Sequence, residues 1–320
     1  MFDIESANRN RSYQTVDSNG IAQQGQGLQE KLTDLAQKFF PDSKLFSFNA
    51  INVISCYIMY IICWLTYWFS DMSWRCTTHF YGSHYGPDVG QQYQFHRLLT
   101  PMILHQNNMH IFFNTLGLLF FGFQLENYYG FKRFLSVYLM AGIGGNLLSI
   151  YWHYENFSLG ASTGVFGILA FQCIYLYERK EQLGPKFNRQ ISSLAFILII
   201  NIVQSMTSPQ IDGASHFGGF AFGLLMGLLF INNEWINKRK WIRLLIIIIL
   251  ILSTFYLTAK IISYNDGREN PVPTFDQLEK MSFIMNRGEK NEEKVGYCSK
   301  QLENYMQKKQ QEQENKTPFG

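Results

Sequence analysis

Apolar residues dominate this chain between about Phe46 and Ile262, and polar residues dominate both ends. Inside the apolar stretch the runs are close to the ~20 residues that a helix needs to cross a hydrocarbon core of ~30 Å. Seven such runs are predicted spans, at approximately 47–69, 109–127, 132–152, 160–177, 191–208, 214–232 and 241–262. The fifth is short by apolar length and contains Asn201 and Gln204. The expected fold class is an all-α, polytopic membrane protein in four parts: a polar cytoplasmic N-terminal tail (1–46), a six-span core (47–232), a basic linker with a seventh span (233–262) and a polar extracytoplasmic C-terminal tail (263–320). In the first tail Leu28, Leu32, Leu35 and Phe39 share a helical face, which reads either as a membrane-surface helix or as a transient amphipathic turn. The last part carries Pro271 and Pro273 and one expected short helix near 291–312.

Charge in the connections orients the spans. Lys38 and Lys44 precede the first, Lys132 and Arg133 separate the second and third, and Arg179, Lys180, Lys186 and Arg189 separate the fourth and fifth. Lys238, Arg239, Lys240 and Arg243 separate the sixth and seventh. The connections 153–159 and 208–213 hold no Lys or Arg, and the long segment 70–108 holds only Arg75 and Arg97. Alternate connections are basic, which by the positive-inside rule puts the N-terminus in the cytoplasm and the C-terminus outside. Spans two, four and six then all enter from the outer side.

Composition removes several function classes. The net charge of +3 is small, and Lys and Arg are not clustered for phosphate contact, so no nucleic-acid partner is expected. The first forty-odd residues are polar and include Asp3 and Glu5, so neither a signal peptide nor an acid-poor transit peptide is read there. Cys56, Cys63 and Cys173 lie in apolar runs as packing residues, and no cysteine spacing suits zinc; neither a metal nor another cofactor is expected. Cys76 and Cys298 both fall outside the cytoplasm, so a disulfide between them is conceivable. Of the sequons, Asn315 lies in the outer tail, Asn156 lies close to the bilayer, and modification at Asn10 would contradict the topology.

The chemistry concentrates where three spans begin. Gly160-Ala161-Ser162-Thr163-Gly164 opens the fourth, and His216, the one histidine after Ser162, opens the sixth. His110 and Asn114 lie one turn apart at the start of the second and share a face. On the sixth span His216, Gly219, Gly223 and Gly227 fall within roughly 60–80° of one another. Glycine at every fourth position lets another backbone approach closely, and this ridge is expected to press against span four. A serine hydroxyl needs a base to become a nucleophile. The reading is Ser162 as nucleophile, His216 as general base and then acid, and His110, Asn114 and the Ser162 N–H as oxyanion donors. Asp212 precedes His216 by one turn and reads as an N-cap rather than a third catalytic member. Taken singly, the serine reads as small-residue packing, the histidine as a relay or ligand-site residue, and Asn114 as an interhelical hydrogen bond. Their common depth on one side favours the catalytic reading.

These residues resemble the rhomboid intramembrane serine proteases over about residues 47–232. His105 to Asn114 is similar to the family's H-x4-H-x3-N, followed by Gly122 and Glu126. Gly160 to Gly164 matches G-x-S-x-G, and His216, Gly218, Gly219 and Gly223 match H-x-G-G-x3-G. The resemblance implies a six-helix rhomboid core plus a C-terminal seventh helix and a Ser162–His216 dyad, with His110 and Asn114 near the oxyanion. It also implies a water-filled cavity open to the outer side and a lipid-embedded loop between spans one and two. The family's Trp-Arg reads His96-Arg97 here, and its frequent alanine before the histidine reads Ser215. An extra span after the core resembles the secretory-pathway members, so the secretory pathway or plasma membrane is expected rather than mitochondria. The expected partners are single-pass transmembrane substrates and the lipid bilayer. Rival readings are an inactive rhomboid-like adaptor that binds spanning helices, which would lack the serine or the histidine, and a transporter, which would need polar residues through both leaflets.

Overall fold

In a bilayer each backbone N–H and C=O must be satisfied within the protein, which leaves helices as the solution for separate apolar runs. The computed structural model describes residues 47–278, apart from 71, 209, 210, 267, 269 and 270. The regular elements among the described residues are helices, with one isolated bridge between His84 and Ser158. In chain order the principal helices are α1 (Phe48–Phe69), α2 (Asn108–Gly117), α3 (Phe123–Tyr129), α4 (Phe131–Trp152), α5 (Ser162–Glu178), α6 (Pro185–Thr207), α7 (Gly213–Phe230) and α8 (Lys240–Ile262).

Five of these, α1, α4, α6, α7 and α8, are long and apolar enough to cross a membrane. The expected runs at 109–127 and 160–177 are helical as well: residues 108–129 are helical without a gap, and α5 has 17 residues. Within the first, the helix passes from α2 to α3 through a π-helical turn, Leu118–Gly122. Its cause is Asn49 of α1, whose side-chain Nδ2 donates to the Leu118 carbonyl at 2.9 Å, while a Cβ at Gly122 would collide with that same side chain. The second is the 17-residue α5, because Gly160 and Ala161 precede the helix instead of opening it. The fifth run is longer than its apolar residues suggest. It begins at Pro185 in the first helical turn, where the missing N–H costs nothing.

The N-terminus of α1 shows how the sequence anchors a helix from a distance. Ser47 accepts from the Ala50 N–H, and the Glu126 carboxylate of α3 accepts from the N–H groups of Phe48 and Asn49, each at 2.9 Å. An acid at a helix start matches the dipole. Outward faces are apolar, as with Ile51, Ile54 and Ile58 on α1 and Phe196, Ile199 and Ile202 on α6.

The core sits where α4, α5 and α7 meet, around Phe134, Tyr138, Ile168 and Phe171. Lipid offers no hydrophobic drive for helices to pair, so close packing of small residues must supply it. A Cβ at Gly219 would run into the Thr163 carbonyl, and Gly223 lies against Gly167. Gly145 of α4 sits where a Cβ would stand 2.6 Å from the Ser215 carbonyl. The glycine ridge of α7 therefore packs on α5, and α4 closes the other side.

Between α1 and α2 the chain forms short helices, Trp74–Phe80 and Gly86–Gly90, and two 3₁₀ turns, Phe95–Leu98 and Thr100–Ile103. Buried Asp88 organises them. Its carboxylate meets His79 Nε2 at 2.8 Å, lies 3.9 Å from Arg97 Nε, and accepts the N–H of Phe275 at 3.0 Å. Burial pushes the His79 imidazole below its ordinary value, against the pull of Asp88. Arg97 donates to the His79 and Ser83 carbonyls at 2.8 and 2.9 Å. His96, at the family's tryptophan position, is exposed, so the loop packs around the arginine without an aromatic partner there. The segment after α8 returns to this loop: Tyr85 donates to the Pro273 carbonyl at 3.0 Å, and Phe275 stacks on His79 at 3.9 Å.

Cys56, Cys63 and Cys173 are free thiols, and Cys76 is disulfide-bonded. Cys298, the amphipathic face Leu28–Phe39, the expected helix near 291–312, and the sequons at Asn10 and Asn315 lie outside the described residues.

Candidate active site

Ser162 is the first residue of α5. The turn before it depends on Gly160, whose φ of +136° is strained for any side chain. The Gly160 N–H donates to the Pro101 carbonyl at 2.9 Å, which fixes this turn on the loop after α1. Ala161, at the N-cap, contributes no side-chain hydrogen bond, and the first intrahelical bond of α5 is Val165 N–H to Ala161. The N–H groups of Ser162, Thr163 and Gly164 thus have no partner within the helix, at the end where the dipole favours negative charge.

His110 and Asn114 on α2 converge on Gly160. A Cβ built there would stand 2.6 Å from His110 Nε2 and 3.5 Å from Asn114 Nδ2. Asn107 caps α2 by accepting the backbone N–H of His110 at 2.9 Å. The Gln106 N–H donates to His110 Nδ1 at 3.4 Å. A neutral imidazole carries one N–H, so Nε2 is the donor and faces the Ser162 turn. Asn114 is buried, and its Nδ2 has no acceptor among the described residues. A buried donor left unsatisfied costs about 1–3 kcal/mol and calls for an explanation.

His216 lies in the first turn of α7 and is partly exposed, as is Ser162. Its ring stacks on Phe166 with centroids 4.2 Å apart and planes at 14°. Phe166 is one turn after Ser162 on α5, so the imidazole rests against the face that begins with the serine. The other contact of the ring is Ser205 Oγ of α6, 3.3 Å from Nδ1.

Asp212 is an N-cap, accepting the Ser215 N–H at 3.0 Å. It does more than the sequence indicates. Its second oxygen accepts from Ser149 Oγ of α4, and that hydroxyl lies 3.2 Å from Nε2 of fully buried His84. Burial alone would raise the Asp212 carboxyl, but His84, Ser149, the Ser215 N–H and Ser158 together hold it below its ordinary value. Burial drops His84 to about 4, with Asp212 and Asn146 opposing. The loop after α1, α4 and the start of α7 are thereby tied together. Ser215 donates to the Asp212 carbonyl at 2.7 Å, so the extra hydroxyl at the family's alanine position is satisfied locally.

Phe166, Ser205, Ser149 and His84 were not legible as site neighbours. Phe166 carries the one available signal, an aromatic four residues after the serine on the same helix face. Ser205 lies one residue from Gln204, but sequence spacing does not relate α6 to α7. Two clefts lie elsewhere: one of about 560 Å³ lined by Tyr151, Trp152, Lys260 and Tyr264, and one of about 410 Å³ lined by Cys173, Tyr177, Leu228 and Ile236. Neither is lined by Ser162 or His216. Among the described residues no group of three His, Cys, Asp or Glu side chains could hold a metal ion.

Residues 92–233 match the model of the Rhomboid domain. The chain is 34% identical over 155 residues to RHOMBOID-like protein 1 of Arabidopsis thaliana, covering 48% of this chain and 39% of that protein. It is 32% identical over 163 residues to Rhomboid-like protease 1 of Toxoplasma gondii, covering 50% and 55%. To Rhomboid protease AarA of Providencia stuartii it is 31% identical over 152 residues, covering 41% and 54%. The chain thus spans about half the length, or less, of these relatives.

Proposed function

The chain belongs to the rhomboid family, and from that premise we propose that it is a serine endopeptidase. It would cut single-pass membrane proteins near or within the outer part of their span. Ser162 Oγ attacks the scissile carbonyl carbon while His216 Nε2 takes the hydroxyl proton. The C–N bond breaks as His216 gives that proton to the leaving amine, which leaves an acyl ester on Ser162. Water, deprotonated by the same imidazole, then hydrolyses the ester.

The observation that carries this reading is a set of donors around one short turn, of which the buried Asn114 Nδ2 has no acceptor among the described residues. The Asn114 Nδ2, the His110 Nε2–H and the first N–H groups of α5 face the region of Gly160 and Ser162. Donors left unsatisfied in the resting protein suit a charge that exists only in the transition state. The imidazole stacked one turn along α5 supplies the base.

A peptide bond must leave helical geometry to reach Ser162, so small or helix-breaking residues in the substrate span should favour cleavage. The alternating basic connections support a cytoplasmic N-terminus, an extracytoplasmic C-terminus and cleavage on the outer side, in the secretory pathway or plasma membrane. The six-span core with α8 as an added seventh span belongs to the same proposal. The test is incubation of the purified protein with a labelled spanning substrate in lipid. Cleavage is expected from wild type and should be lost in Ser162→Ala; equal cleavage by both would sink the assignment.

A further inference from the structure

We infer that Ser205 of α6 is a positioning residue that fixes which nitrogen of His216 can act as base. This rests on the protease reading above. The argument is a proton count. Ser205 Oγ donates to the carbonyl oxygen of Asn201, one turn earlier on α6, at 2.9 Å, and lies 3.3 Å from His216 Nδ1. A hydroxyl has one proton and two lone pairs, whereas a carbonyl only accepts. With its proton on the Asn201 carbonyl, Ser205 presents a lone pair to the imidazole. His216 Nδ1 must then be the N–H. Because a neutral imidazole carries a single ring proton, Nε2 is bare, as a base for the Ser162 hydroxyl must be.

The surroundings hold this arrangement in place. Asn201 Nδ2 donates to the Ile197 carbonyl at 2.8 Å, which turns that side chain back along α6. Gly213, three residues before His216, lies over Ser205: a Cβ there would be 3.2 Å from Ser205 Cβ and 3.8 Å from its Oγ. That close approach brings the start of α7 onto this point of α6. The Asp212 carboxylate oxygens accept the Ser215 N–H and the Ser149 hydroxyl, so these hydrogen bonds go to α7 and α4. Phe166 sets the plane of the imidazole by stacking, and Ser205 sets its rotation within that plane. A neutral hydroxyl here does what a carboxylate does in a three-residue triad, orienting the ring and selecting the tautomer.

The tautomer is read directly by ¹⁵N NMR of the full chain, labelled at histidine and held in lipid. The His216 signals are assigned by their loss in His216→Gln. Wild type should show a protonated Nδ1 and an unprotonated Nε2. Ser205→Ala keeps the Cβ that packs on Gly213 and removes only the oxygen. It should give a mixture of tautomers and lower kcat about tenfold or more with KM unchanged. Ser205→Thr, which keeps a hydroxyl, should recover both. A wild-type His216 protonated on Nε2 would overturn the inference, as would Ser205→Ala with the wild-type tautomer and a kcat within about twofold. If Ser205→Ala does not fold, the wild-type spectrum alone decides. A wild type that cleaves no substrate would count against the protease reading, while the spectrum would still decide the role of Ser205.

Discussion

Among the donors around Ser162, Asn114 is the most exposed to test by a single substitution. Its Nδ2 is buried, aimed at the Gly160 turn, and without an acceptor among the described residues. Asn114→Ala removes a donor that stabilises nothing in the resting protein. Proteolysis should therefore fall about 10²–10³-fold in kcat, the usual cost of one oxyanion donor, with Tm unchanged or slightly raised. A fall in Tm with kcat retained would assign Asn114 to packing instead. Asn114, His110, Ser162 and His216 could be picked from sequence because their spacing and topology put them at one depth. Ser205 could not. Its relevance depends on where α6 passes α7, and no periodicity within either helix encodes that.

At the scale of elements, the glycines of α7 are where the packing is least forgiving. A Cβ at Gly219 meets the Thr163 carbonyl, part of a helix backbone that cannot swing aside. Overpacking of this kind costs about 1–3 kcal/mol, so Gly219→Ala should lower Tm in lipid and reduce cleavage by displacing His216 from α5. Gly227→Ala should be milder, because its Cβ would meet the ends of the Ile174 and Phe171 side chains, which can turn. Equal stability of the two variants would contradict the stated packing. The i, i+4 glycine pattern made this ridge legible in advance. The π-helical turn between α2 and α3 was hidden, since its cause, the side chain of Asn49, comes from a helix more than fifty residues earlier. The 17-residue length of α5 was hidden as well: apolar content continues through Gly160 and Ala161, whereas the positive φ of Gly160 stops the helix.

For the molecule as a whole, a buried polar lattice joins the loop after α1 to the bundle, and it should make the fold sensitive to acid. His84 is neutral and fully buried, with a value near 4 against about 6.5 when unfolded. The unfolded chain then binds a proton that the folded one refuses. Stability from this group is complete above about pH 6.5 and is lost as pH falls toward 4, by up to about 3 kcal/mol. His79, also lowered by burial, adds in the same direction. Thermal unfolding in lipid should show Tm dropping across that window, and His84→Gln should flatten the drop; an identical slope in the variant would remove His84 from the account. Neither this lattice nor the return of the segment around Phe275 to Asp88 could be read from sequence, because both join residues brought together only by the fold. The central claim, that Ser162 is an activated nucleophile served by His216, is tested most directly by labelling with a serine-reactive fluorophosphonate. Wild type should be modified at Ser162, with labelling abolished in Ser162→Ala and strongly reduced in His216→Ala. Undiminished labelling in either variant, or a folded wild type that does not react, would contradict it.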